Sequence, residues 1–123
     1  MNATEFIHEW VEAYNEMDFT RFAAMNTDDV VYTVAALGHT YTGRDAFIQH
    51  IREYADGVPD RRFTLDQVIA DGDLIAVEYR FLGTSSGKVA ALPPAGTVLK
   101  TSFCSVLRLR DGKVAAQTDY LGG

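Results

Sequence analysis

Residues 63–82 read FTLDQVIADGDLIAVEYRFL, and the class of the fold is decided there. Phe63 to Ala70 and Leu74 to Leu82 are runs rich in β-branched and aromatic residues, parted by Asp71-Gly72-Asp73. Two such runs around a cluster of turn residues predict an antiparallel hairpin. In the second run Ile75, Val77, Tyr79 and Phe81 share one face, while Ala76, Glu78 and Arg80 share the other. Alternation with period two means one side packs on a core and the other does not.

The pattern continues downstream. Gly83 to Gly96 holds three glycines and the adjacent Pro93-Pro94, and reads as a loop. Val98 to Arg110 and Lys113 to Leu121 then predict a second hairpin about Asp111-Gly112. Upstream, the period changes from 2 to 3.6. Ile7, Trp10, Val11 and Tyr14 form one apolar stripe, opened by Asn2 and Glu5 in capping-box spacing. Phe19, Phe22, Ala23 and Met25 predict a short second helix, stopped by Asp28-Asp29. Val30 to Ala36 reads as a strand that turns at Gly38-His39 into a short return around Tyr41. Thr42 with Asp45 predicts the cap of a third helix carrying Phe47, Ile48, Ile51 and Tyr54, ended by Gly57 and Pro59. Helices early and a meander late mean α+β: a curved antiparallel sheet wrapped on three helices, with an apolar pocket between them.

Composition removes several function classes. With 17 acidic and 11 basic residues the formal charge is −6, and Arg61-Arg62 is the sole adjacent basic pair. Nucleic acid needs a clustered positive surface, so no such partner is expected. The longest stretch without charges or breakers, Val30 to Leu37, falls far short of the ~20 residues of a membrane span. The N-terminus shows neither a basic segment nor an apolar one of signal-peptide type, which makes the cytoplasm the default expectation. One cysteine, Cys104, and three scattered histidines offer no disulfide and no metal cluster. The length of 123 residues fits one domain over 1–123.

Several short motifs stand at family-like spacing: Gly43-Arg44-Asp45-Ala46, Pro59-Asp60, Ala70-Asp71-Gly72-Asp73, Gly83-Thr84, Leu92-Pro93-Pro94-Ala95-Gly96, and Arg110-Asp111-Gly112-Lys113 leading to Asp119-Tyr120. In this order the chain resembles the nuclear transport factor 2-like, cystatin-like α+β cone superfamily, and within it SnoaL-like polyketide cyclases. The resemblance implies a cone with a ligand pocket, and each reaction of the superfamily has its own positions. The ketosteroid isomerase-like pattern would place its proton-abstracting Asp at Val34, its oxyanion-binding Tyr at Trp10 and its protonated acid near Ser105. Val34 takes no proton, so that reaction is not expected. The limonene epoxide hydrolase-like pattern would need Arg and Asp where Tyr79 and Phe81 stand, and the Asn that helps hold its water again falls on Val34; only Tyr32 and Asp119 fit. The SnoaL-like pattern asks for an Asp on the last strand as general acid/base of an aldol closure. Asp119 matches it, and Ser105 stands where an accompanying His often lies.

These readings name Asp119 as the candidate catalytic residue. Candidates for binding substrate are Tyr32, Tyr79, Phe81, Phe103, Ser105, Gln117, Tyr14, Trp10 and His39. No metal or other cofactor is implied, because proton transfer on an activated carbonyl needs none. The parity of the last hairpin decides whether Asp119 faces the pocket. A two-residue Asp111-Gly112 loop would put it on the face of Cys104 and Val106. A three-residue loop with a bulge at Gly112 would put it opposite Phe103, with Gln117 opposite Ser105. The resemblance implies the second. The ligand expected is small and apolar or aromatic, acted on as by a cyclase, isomerase or lyase. The alternative is a non-catalytic ligand-binding or dimeric accessory domain. A homodimer is expected through the convex sheet face, where Ala76, Cys104 and Val106 alternate with charged residues.

Overall fold

The computed structural model describes residues 1–122; Gly123, the last residue of the expected domain, lies outside them. Helices α1 (Ala3–Asn15), α2 (Phe19–Ala24) and α3 (Arg44–Gly57) accompany six strands. The strands are β1 (Asn26–Val34), β2 (His39–Thr42), β3 (Arg62–Asp71), β4 (Leu74–Thr84), β5 (Val98–Arg110) and β6 (Lys113–Gly122). They form one sheet in the order β2-β1-β6-β5-β4-β3. The class is α+β, as expected. The sheet is mixed: β1 runs parallel to β6, and every other pair is antiparallel. That pairing joins the first strand to the last, and no local pattern announces it.

The apolar stripe of α1 does what its spacing requires. Phe6, Ile7, Trp10, Val11 and Tyr14 are all buried. Asn2 caps the helix by accepting the Glu5 amide at 2.9 Å. Helix α1 lies against β3 and α3 against β1. On β4, Ile75, Val77 and Tyr79 are buried while Glu78 and Arg80 are exposed, which confirms the alternation. Val77, fully buried, belongs to the core and not to a pocket wall.

Two local expectations fail for identifiable reasons. Strand β1 starts at Asn26, not Val30, so Asp28 and Asp29 lie within the strand. They are tolerated there because Arg44 and Arg110 pair with them at the surface, at 2.7 and 2.5 Å. The expected Thr42 cap of α3 is replaced by Gly43, which makes no side-chain cap bond. Its φ of +94° is a conformation other residues rarely adopt, and its amide donates to the Val30 carbonyl at 2.8 Å.

One side chain fastens the first helix to the sheet. Asn15 donates through Nδ2 to the Phe63 carbonyl at 3.0 Å and accepts the Phe63 amide at 2.7 Å through Oδ1. The amide group thus stands in for a neighbouring strand at the start of β3. Asn15→Ala leaves both backbone groups unpaired and should cost about 1–3 kcal/mol. A urea titration checks this; an unchanged midpoint would show that water replaces the amide.

Candidate functional site

A cavity of about 280 Å³ opens between the concave side of the sheet and α1 and α3. Its wall is chiefly apolar and aromatic, with Phe63, Tyr79, Phe81 and Phe103 packed together on the sheet side. Tyr32 from β1 and His50 and Tyr54 from α3 also line it, while Tyr41 of β2, off the cavity surface, stacks on Tyr32 and His50 with ring centroids 6.0 and 4.4 Å apart. The segment between β4 and β5 closes one end. It is tied to the C-terminus of α3 by the Ser86 amide on the Gly57 carbonyl, and it contributes Leu92.

Asp119 lies on this wall although it is 95% buried, its relative exposure being 5%. Three donors converge on its carboxylate. The Tyr32 hydroxyl donates to Oδ2 at 2.5 Å, and Ser105 Oγ and Gln117 Nε2 reach Oδ1 at 2.6 and 3.0 Å. Behind Ser105 stands the Tyr79 hydroxyl, 2.7 Å away. Since Ser105 gives its proton to Asp119, Tyr79 gives its own to Ser105. Burial pushes the Asp119 carboxyl above the usual range, and the three hydrogen bonds oppose that without cancelling it. Burial, followed by the charge of Asp119, pushes the hydroxyls of Tyr14, Tyr32 and Tyr79 up, so all three keep their protons.

The last hairpin takes a form between the two expected ones. Arg110 pairs with Lys113, leaving a two-residue loop in which Asp111 and Gly112 both have positive φ, +53° and +77°. That is the backbone of a type I′ turn. The register then shifts by one between Arg108 and Leu109, so that Ala115 on β6 is the extra residue. The bulge is therefore inside the strand, not at Gly112. It turns Asp119 to the concave face, opposite Ser105, and sets Gln117 opposite Leu107. A register without that bulge would have placed the carboxylate on the convex side.

Of the expected binding residues, Tyr14, Tyr32, Tyr79, Phe81, Phe103 and His39 line the cavity. His39 is exposed at the mouth. Ser105 and Gln117 stand behind Asp119, off the cavity surface, and each donates to its carboxylate. Trp10 does not reach the cavity. It is a core residue, 1% exposed, with its face or edge against Tyr14 and Tyr79 at 5.0 and 5.5 Å. Arg61, Phe63, His50 and Leu92 also stand on the wall, none of them among the expected binding residues. Arg61 precedes β3 and sits in a turn, outside the alternation of that strand, so no local pattern announces its place on the wall. No group of three or more potential metal ligands occurs among the described residues. None of their helices is long and apolar enough to cross a membrane.

A family model described as a SnoaL-like domain matches residues 7–117. The chain belongs to the SnoaL-like domain family. Solved structures agree on the fold of this SnoaL-like chain. IdmH from Streptomyces antibioticus, provisionally assigned as a polyketide cyclase, is 20% identical with a TM-score of 0.84, over 98% of this chain and 92% of its own. A provisionally assigned polyketide cyclase from Pseudomonas putida KT2440 is 25% identical at a TM-score of 0.81, over 98% and 91%. A hypothetical protein of ketosteroid isomerase-like fold from Catenulispora acidiphila, in complex with trimethylamine, is 20% identical at 0.82, over 97% and 86%. No curated protein matches the SnoaL-like sequence.

Proposed function

We propose that this SnoaL-like domain is a cofactor-independent acid/base catalyst, a cyclase or isomerase acting on an apolar, polyketide-like carbonyl compound. The observation that carries the reading is Asp119: a buried carboxyl on an apolar cavity wall, aimed by three donors from three strands. A structural aspartate is ordinarily solvated or paired with a cation, and no ion pair of Asp119 exists among the described residues. As a carboxylate, Asp119 takes a proton from the carbon next to a ligand carbonyl. The C–H electrons enter the enolate, and its carbon attacks a second carbonyl of the same molecule. The protonated Asp119 then returns its proton to the new alkoxide, so the sum is an isomerisation without external reagent. Tyr32, Ser105 and Gln117 act as positioning residues, and the aromatic wall excludes water.

The test is proton exchange. Incubated in D₂O with aryl methyl ketones, the protein should speed deuterium incorporation at the methyl carbon, followed by proton NMR. Binding without exchange would favour a second reading, a ligand-binding domain, which gains weight because no second carboxylate lines the cavity among the described residues.

Assembly belongs to the same proposal. Ala76, Cys104 and Val106 are half-buried on the convex face, and Ile69 and Tyr120 beside them are 54% and 50% exposed. A second copy laid sheet to sheet would cover them. Val106→Glu should lower the mass in light scattering from twice the chain mass to 13.6 kDa. Wild-type protein already of monomer mass at high concentration would refute the dimer.

A further inference from the structure

Arg61 is a cation where none is required by the proton chemistry. It precedes β3, and a turn fixes its backbone, the Arg61 amide donating to the Val58 carbonyl at 3.1 Å. The residue is 93% buried, at 7% relative exposure, and lines the cavity. Nη2 donates to the Tyr14 carbonyl at 3.2 Å, and the guanidinium lies 5.9 and 5.7 Å from the ring centroids of Tyr14 and Phe19. Nε is buried with no partner among the described residues. No carboxylate among them pairs with the guanidinium. A buried charge without a counter-charge is costly, and five N–H donors are far more than one carbonyl can use.

Nor does Asp119 supply the missing charge. Asp119 lies level with Ser105 and Val77, whereas Arg61 abuts Gly83, six residues farther along β4. Up to about 20 Å of strand separates the two backbones. Tyr14 spans part of that distance: its carbonyl takes the Arg61 donor, and its buried hydroxyl senses the charge of Asp119. The cavity therefore has a cationic end and a carboxyl end, with Phe63, Phe81 and Phe103 on its wall.

We propose that the cavity takes an organic anion, an aromatic carboxylate whose charged group meets the Arg61 guanidinium while its ring lies against the phenylalanines. The proposal rests on reading this cavity as a ligand pocket, and it narrows the substrate class to keto acids and related oxyanions. A carboxylate accepts two parallel bonds from the guanidinium fork. The ligand's carbonyl arm would then point along the cavity toward Asp119.

Two probes of matched shape separate the possibilities: 2-naphthoate and the neutral 2-acetonaphthone, each titrated calorimetrically at pH 7.5. Wild-type protein should prefer the naphthoate by about tenfold or more. Arg61→Gln keeps a donor for the Tyr14 carbonyl but removes the charge. It should bring the two affinities within about twofold while leaving that of the ketone in place. Equal affinities in the wild type, or a preference that survives in Arg61→Gln, would overturn the proposal and leave the pocket standing. If neither probe binds, the pocket reading falls and the proposal with it. A readout on the wild type guards against a variant that does not fold. The Arg61 Nε–H resonance should move when naphthoate is added and stay when the ketone is added. A resonance indifferent to naphthoate would assign Arg61 to clamping α1 alone.

Discussion

Asp119→Asn should reduce proton exchange by about 10²–10⁴-fold, the usual contribution of a positioned acid or base, while ligand affinity changes little. The amide oxygen can still accept from Ser105 and Gln117, and the amide nitrogen can donate to the Tyr32 oxygen, so the pocket keeps its shape. Stability should move the other way. Burial raises the Asp119 pKa in the folded chain, so the folded state holds that proton more tightly than the unfolded one. The wild type therefore loses stability as pH climbs from the unfolded carboxyl value, about 3.9, through the raised folded value. The amide of the variant does not titrate. Melting curves should show Asp119→Asn more stable than wild type at pH 8, with the gap closing toward pH 4. The same titration governs catalysis, because only the carboxylate can take a proton, so exchange should rise with pH through the raised value. Equal melting temperatures at every pH, together with retained exchange, would remove Asp119 from the chemistry.

The second large effect concerns Trp10. It fills the space between α1 and the sheet, nearly edge-on to both Tyr14 and Tyr79, with interplanar angles of 82° and 86°. Phe22 lies 6.4 Å away on α2. Trp10→Ala should cost about 3–5 kcal/mol, combining lost burial with a cavity that neighbours refill only in part. The loss should also reach the site. Tyr79 holds Ser105, and Ser105 holds Asp119, so a Tyr79 ring free to tilt loosens the carboxylate. Chemical denaturation gives the first quantity. The second is read in Trp10→Phe, which keeps an aromatic edge and should recover most of the exchange rate that Trp10→Ala loses. A Trp10→Ala variant as stable as wild type would show that the core collapses onto the gap.

How the chain arrives at this site separates into local and non-local causes. The stripe of α1, the alternation on β4 and the Asp111-Gly112 turn were legible in the sequence, because each depends on residues within about four positions of one another. Tyr14 and Tyr79 were legible as buried aromatics for the same reason. Their hydroxyl partners were not. Tyr32 and Asp119 lie 87 positions apart, and only the parallel pairing of β1 with β6 brings them together, with Tyr32 beside Gln117 in that register.

The extra residue at Ala115 makes the same point on a smaller scale. Nothing in Lys113-Val114-Ala115-Ala116 marks one alanine as a bulge, yet its position alone turns Asp119 inward. Burial of Val114 and Gln117 on the concave side selects that register over the straight one. Sequence by itself determined the α+β class, the paired hairpins and the family-like position of Asp119. Tertiary structure alone decided which face Asp119 presents, which three donors hold it, and that Arg61 ends on the cavity wall without a carboxylate. The physical reason is that periodicity is set by nearest neighbours along the chain, whereas charge compensation and strand register are set by what burial brings together across it.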